Sequence, residues 1–273
     1  MIKIRNYTLN MNFLQQAAFN NEQQEILDFM VKYPKVYSYD SFEQLEFELA
    51  VREDVVESAR ALLKSGATFE TFATSYCNPL FWTLNSQGAF IIKRGIRPSD
   101  AIEDIYQNGR LYGFECATAI VICFYRAVLK NIDRFQFDRI FYGMILYDWH
   151  FDDDLGIFTT RGNDFLPGDC LYFNNPDFDP ETPHWRGENT IYLGEDLHFA
   201  HGIGIKDGEG IIEALNKYRR PSASQSAYLL PQVTRLDFNY LFNYRSLSQN
   251  TRPKKKISNR YAAGQIGDHL YLS

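Results

Sequence analysis

Between residues 42 and 66, apolar side chains recur at helical spacing. Phe42, Leu45 and Leu49 are followed by Val55, Val56, Ala59, Leu62 and Leu63. Ser41-Phe42-Glu43-Gln44 has the form of a capping box, and Gly66 that of a C-cap, so the spacing predicts one long helix between them. A second helix is expected after Pro98 and Ser99, ending at Gly109, with a short strand over 89–92 between the two. From Cys116 the chain reads CATAIVICFYRAVL, apolar nearly all round, which predicts a central buried helix. The period then changes. Short strand-like runs cover 140–147, 170–173, 190–193 and 198–203, separated by Pro167-Gly168-Asp169, Asn174-Asn175-Pro176 and Gly194-Glu195-Asp196. A short helix over 210–218 interrupts them, and 228–230 is a candidate last strand. The expected fold class is α+β, a helical N-terminal half whose last helix packs on an antiparallel β-sheet.

Composition narrows the options. The 273 residues are 45% apolar and 23% charged, ordinary for a globular domain, whereas aromatics reach 16%. Aromatics fill cores first, but an excess of this size leaves rings for a tunnel or cleft. The net charge of −6 argues against nucleic acid as a partner. The charge is uneven: residues 251–273 hold Arg252, Lys254, Lys255, Lys256 and Arg260 against Asp268, about +4, leaving about −10 on the rest. We therefore expect one domain over 1–245, mainly helical over 10–110 and catalytic over 111–240, with a basic tail over 246–273. No run approaches the ~20 apolar residues of a membrane span, and MIKIRNYTLNMNF lacks the apolar stretch of a secretory signal. Cys77, Cys116, Cys123 and Cys170 show neither metal-type nor disulfide-framework spacing, so no metal is expected and a reducing cytoplasm is. Asp152, Asp153 and Asp154 read as a solvated loop, because EF-hand spacing is absent.

Three stretches carry candidate chemistry. Cys116 begins the buried helix directly after Glu115, where free N–H groups and the helix dipole favour a thiolate or an oxyanion. A lone cysteine is more often inert packing than a nucleophile, so its context decides. The second stretch is PGDCLYFNNP at 167–176, and the third is GENTIYLGEDLHFAHG at 187–202. A cysteine heading a buried helix, a PGD strand, a strand ending in YLG and a strand with a terminal histidine follow in the order of NlpC-type, papain-like cysteine peptidases. In those the strand before YLG begins with the catalytic histidine; here Glu188 stands in its place.

The chain resembles one family closely, the spore-coat protein-glutamine γ-glutamyltransferases of Bacillus and relatives. The motifs are GFECATAIVI, LYDWH, GDCLYFNNPDFDP, WRGENTIYLGED, FAHGIGI and QSAYLLPQVTRLD, and the resemblance covers about residues 10 to 240. The resemblance implies a papain-like core and protein cross-linking. A cysteine takes the acyl group of a glutamine side chain as a thioester, ammonia leaves, and a lysine amine closes an isopeptide bond. It implies Cys116 as nucleophile, Glu188 as partner carboxylate, Glu115 as a partial substitute for it and His201 in the supporting position. It further implies no calcium or other cofactor, glutamine- and lysine-bearing coat proteins as partners, and the mother-cell cytoplasm and then the spore coat as location. A papain-like peptidase or amidase is the alternative that element order alone allows. A catalytically silent coat scaffold is a third, opposed by the intact Cys116, Glu188 and His201.

The chemistry sets a condition. A free thiol has a pKa of about 8.5 and a glutamate about 4.3, so moving the proton between them costs roughly 6 kcal/mol. Burial of Glu188 among aromatics beside Glu115 would lessen that gap, and the resting state is then a neutral thiol hydrogen-bonded to a carboxylate. The thioester must also be shielded from water. Phe69, Trp149 and Trp185 are the expected walls, able to hold the four-carbon stem of a lysine.

Overall fold

The structure, a computed structural model, describes residues 1–9, 14, 17, 19–245, 263–266 and 269–272. The long helix runs from Phe42 to Ser65. The Ser41 side chain caps it by accepting the Gln44 N–H, and Gly66 stops it at φ 87°, a left-handed position that glycine takes without strain. Gln44 does not complete the capping box, since its side-chain oxygen accepts from the Asp40 N–H instead. The second helix spans Pro98–Gln107, followed by a 3₁₀ turn over Gly109–Leu111. The central helix, Cys116–Asn131, is buried along almost its whole length, as its uniform apolarity requires. It lies between the long helix and the sheet.

That sheet has seven strands. Its main path runs Gly204–Asp207, Leu197–Ala200, Gly187–Gly194, Cys170–Asn174, Gln232–Leu236 and Ile157–Arg161, with Tyr228–Leu229 also paired to Cys170–Asn174. Every pairing is antiparallel. Side chains alternate between the two faces. Cys170, Ile191, Leu193 and Phe199 join the central helix in the main core. Phe173 and Ala200 meet Ile211 and Leu215 of the helix Gly208–Asn216 on the opposite face. The protein is thus a mixed α+β fold with its core between helices and an antiparallel sheet.

Several elements depart from the sequence expectations. Residues 140–147 are not one strand. Asp133 accepts the Gln136 N–H and starts the helix Arg134–Ile140, and only Ile145–Leu146 is extended. Phe137 and Phe141 pack edge-to-face against Tyr125 of the central helix, so packing at helical spacing outweighs the β-propensity of this run. The strand expected over 198–203 ends at Ala200, and Gly204–Asp207 is a separate strand after a turn. The N-terminal third is not wholly helical. Ile2–Ile4, Tyr7–Thr8 and Tyr37–Tyr39 belong to a small sheet covering the helix Asn21–Lys32. Tyr7–Thr8 also pairs with His269–Leu272, which pairs antiparallel with Ala263–Ile266. The lysines of the basic tail, Lys254 to Lys256, lie outside the described residues. Among the described residues, no helix is long and apolar enough to cross a membrane.

Candidate active site

Thr68–Phe69 and Gly113–Phe114 form a short parallel pair, and the second strand delivers the chain directly to Glu115 and Cys116. A Cβ on Gly113 would sit 2.4 Å from the Tyr76 ring, so glycine permits this close approach. Glu115 is the N-cap of the central helix. Its Oε1 accepts the Thr118 N–H at 2.9 Å and the Thr118 hydroxyl at 3.1 Å, and its Oε2 accepts the Ala117 N–H at 3.0 Å. The Cys116 thiol donates to the same Oε2 at 3.4 Å. A neutral thiol resting on a carboxylate is therefore present, but the carboxylate is Glu115.

The second group on the sulphur was not foreseen. Asn189 donates Nδ2–H to Cys116 Sγ at 3.6 Å. Strand alternation explains why this residue and not Glu188 meets the thiol. Asn189 belongs to the set of Ile191 and Leu193 that faces the central helix, whereas Glu188 pairs with Phe173. The signal was available in the sequence, since ENTIYL places Asn189 in phase with the core residues Ile191 and Leu193.

Glu188 is 1% exposed, its Oε1 has no hydrogen-bond partner, and no hydrogen bond joins it to Cys116 among the described residues. Burial, with the Glu115 charge added, pushes its carboxyl well above the usual range. The Cys116 thiol is also pushed well above its usual value, by burial and then by the charges of Glu188 and Glu115; the main-chain and side-chain N–H groups of Asn189 oppose this. The helix N-terminus, expected to favour the thiolate, is outweighed. The physical reason is that Glu115 takes two of its N–H groups and brings a negative charge to the place where the dipole would act.

His201 is not in contact with the thiol. Its Nε2 lies 3.1 Å from the Thr68 carbonyl, and its ring stacks on Phe114 with centroids 4.8 Å apart. Burial lowers its pKa to about 4, despite the Thr68 and Phe114 carbonyls. A neutral imidazole that ties Thr68 to Phe114 braces the strand pair leading to Cys116. His198 is buried on the opposite face of its strand from Phe199, 3.2 Å from the Thr190 hydroxyl.

Cys116 and Glu115 open into a cleft of about 860 Å³. Phe69, Phe72, Trp149 and Tyr172 line it. Trp185 does not. It stacks behind Phe69 at 5.6 Å and on Tyr218 at 4.3 Å, so it backs the wall instead of forming it. Gly202, at φ 100°, packs against the same Phe69 ring, and a Cβ there would approach it to 2.8 Å. On the other side, the Asp148 N–H donates to the Thr118 hydroxyl at 3.0 Å, which fastens the Trp149 loop to the helix start. Cys123 is fully buried core, its thiol pushed up to about 12 by burial. Cys170 is buried in its strand with its thiol likewise raised. Among the described residues, no cluster of three or more His, Cys, Asp or Glu could hold a metal.

A cysteine and a carboxylate at the head of a buried helix, with a second buried carboxyl on the strand Gly187–Gly194, sit at an aromatic cleft on an antiparallel sheet, an arrangement suited to acyl transfer. The family model described as protein-glutamine gamma-glutamyltransferase matches residues 1–245, and the chain belongs to that family. A protein-glutamine gamma-glutamyltransferase of Bacillus licheniformis is 50% identical over 237 residues, covering 87% of this chain and 96% of that one. One from Bacillus subtilis strain 168 is 46% identical over 242 residues, covering 89% and 98%. Among solved structures, a transglutaminase from Geobacillus stearothermophilus, without its C-terminal extension, is 53% identical with a TM-score of 0.73, over 76% of this chain and 99% of that one.

Proposed function

We propose that the protein is a cysteine acyltransferase that joins protein glutamine to protein lysine, built on a papain-like core and working on spore coat proteins. The observation that carries the reading is the Cys116 thiol resting on Glu115 in an aromatic cleft, with the buried carboxyl of Glu188 one residue before Asn189. The 50% identity to a curated enzyme of that activity supports it. Location in the mother-cell cytoplasm and then the coat follows from the resemblance, as does independence of calcium.

The chemistry follows from proton affinity. Sγ attacks the Cδ of a glutamine carboxamide, the C–S bond forms, and the carbonyl π pair moves to oxygen. The thiol proton passes to a carboxylate and from there to the leaving nitrogen, so that the C–N bond breaks with release of ammonia and leaves a thioester. A lysine amine, deprotonated by the same carboxylate, then attacks the thioester. The isopeptide bond forms, the C–S bond breaks and the thiol is restored. Glu115 touches the thiol, but three other donors already occupy it. Glu188 holds protons more tightly than an ordinary carboxylate, which makes it the better matched base for a thiol. Its charge acts on the Cys116 thiol across the short distance between strand and helix start. His201 acts through position, because its depressed pKa leaves it neutral and its bonds go to the main chain.

Incorporation of a labelled primary amine into casein, with ammonia release and no added calcium, tests the reading. Hydrolysis without incorporation would instead indicate a peptidase or amidase. Folded protein with neither activity would indicate a scaffold.

A further inference from the structure

An acyl transfer through Cys116 builds negative charge twice, on sulphur as the thiol loses its proton and on the carbonyl oxygen in each tetrahedral intermediate. Oxygen is the harder demand, since hydrogen-bond donors must already be in place where its charge develops. A helix N-terminus ordinarily supplies such donors from its first turn. Here that supply is depleted. Glu115 takes the N–H groups of Ala117 and Thr118, so of the N–H groups from Cys116 to Thr118 only that of Cys116 is left uncommitted by the cap. A second donor must come from elsewhere, and it must lie within reach of a carbon bonded to Sγ.

Asn189 meets this requirement. Its Nδ2 is 3.6 Å from Sγ, the residue is 9% exposed, and it lines the cleft beside Cys116. Among the described residues, its side chain has no other hydrogen-bond partner, so nothing else in the fold accounts for a buried amide at this point. The strand Gly187–Gly194 holds it there from the face that packs on the central helix. The position is reached because residue 187 is glycine: a Cβ there would come to 2.1 Å of the Tyr172 hydroxyl and 2.6 Å of the Phe173 carbonyl, and would push the start of the strand away.

We propose, building on acyl transfer through Cys116, that Asn189 is a catalytic residue: with the Cys116 N–H, its side-chain amide forms the oxyanion site for the glutamine carbonyl. At rest the amide donates to the sulphur. As Sγ attacks, the new C–S bond uses the lone pair that Nδ2–H was aimed at, and the negative charge moves to the carbonyl oxygen one bond further. The Nδ2–H donor turns from sulphur to that oxygen, and it does so again when the lysine amine attacks the thioester. No proton leaves the amide, so it stabilises both intermediates without competing with Glu115 or Glu188 for the thiol proton.

The test uses Asn189→Ala and Asn189→Leu in the full chain. Leucine keeps most of the volume where alanine leaves a void, and melting curves identify the folded variants. Two rates are compared with wild type: kcat and KM for joining a labelled primary amine to a short glutamine peptide, and the rate at which iodoacetamide alkylates Cys116. Alkylation needs the sulphur but forms no oxyanion. The expected result is a kcat lower by about 10²–10³-fold, the usual cost of one oxyanion donor, with KM little changed and alkylation within about threefold. A loss of kcat under about tenfold overturns the proposal. An equal loss of kcat and alkylation also overturns it, since Asn189 would then serve the sulphur alone. Retained activity in Cys116→Ala would overturn the acyl-transfer reading itself, which keeps the two failures distinct.

Discussion

Glu115 accepts both the main-chain N–H of Thr118, at 2.9 Å, and its hydroxyl, at 3.1 Å, so the carboxylate beside the nucleophile is also the cap of the nucleophile's helix. One side chain therefore serves folding and chemistry together. A carboxylate beside a thiol disfavours the thiolate. The structure gives the carboxylate a structural occupation, which is why the negative charge is tolerated there.

Glu115→Gln keeps an acceptor oxygen for the cap and removes the carboxylate. It should fold with a small loss and retain a measurable part of the amine incorporation, because Glu188 remains. Glu115→Ala removes the cap outright, at ~1 kcal/mol, which in a domain of this size lowers Tm by roughly 2–4 °C. Thermal melts beside incorporation rates separate the two roles. An alanine variant as stable as wild type would mean the cap is replaced by other groups.

Glu188→Gln should lose about 10²–10⁴-fold in incorporation, the usual contribution of a general base, and the double change with Glu115→Gln should lose more than either alone. Its stability should move the other way. A carboxyl whose folded pKa lies above its unfolded value costs stability as pH rises beyond the unfolded value. The neutral amide escapes that cost, so Glu188→Gln should melt above wild type at pH 8 to 9, with the gap narrowing towards pH 5. A variant that melts below wild type at pH 9 would contradict a buried, proton-retaining Glu188.

Cys116→Ala should abolish incorporation with little change in melting, because the thiol sits at a helix start beside an open cleft. Cys123→Ala should stay active. It removes a sulphur buried beside the Tyr106 hydroxyl, 3.8 Å away, and touches nothing in the cleft. Inactivity of a folded Cys123→Ala would displace the site from Cys116.

How much of this was legible in the chain differs by element. The long helix Phe42–Ser65 and the central helix announced themselves through a cap and sustained apolar spacing, which depend on local sequence alone. Asn20 and Gln23 form a complete capping box for the helix Asn21–Lys32, a local signal that was present and passed over. The strands Ile157–Arg161 and Gln232–Leu236 are short, and their identity rests on pairing with each other and with Cys170–Asn174, partners far apart in sequence. At the site, residue types in the cleft could be foreseen from motif order, but contacts could not. Whether Glu188 or Asn189 faces the sulphur is a question of strand phase against a helix, and a shift of one residue reverses the answer. Trp185 shows the same limit: its bulk is needed at the cleft wall, but one ring further back.

Phe69→Ala should raise the share of thioester lost to water. The ring forms the wall beside Cys116, braced by Trp185 and by the left-handed Gly202. Removing it opens the site to solvent without touching a reacting group, so ammonia release should fall less than amine incorporation does. The ratio of ammonia released to amine incorporated measures this directly. An unchanged ratio would mean that Phe69 has no part in excluding water.

The two buried histidines give the last expectation. His198 and His201 both have folded pKa values of about 4, through burial, against an ordinary value of 6.5. Between those values the unfolded chain binds more protons than the folded one, so stability falls as pH drops from about 6.5 towards 4. Glu22, Glu25 and Glu188, all raised by burial, act in the opposite sense from about 4.5 upward, so the histidine share is read by replacing one histidine at a time. His198→Asn should therefore lose less melting temperature than wild type as pH drops from about 6.5 towards 4. Activity should not follow a histidine titration near pH 6.5, since a neutral His201 supplies no cation to the thiol. Iodoacetamide should react slowly with Cys116 at pH 6 and faster towards pH 8, as expected of a thiol held protonated by burial and by two carboxyl groups. Fast alkylation at pH 5 to 6 would reveal a preformed thiolate with a cationic partner, and the assignment of Glu115 and Glu188 to the thiol proton would have to be abandoned.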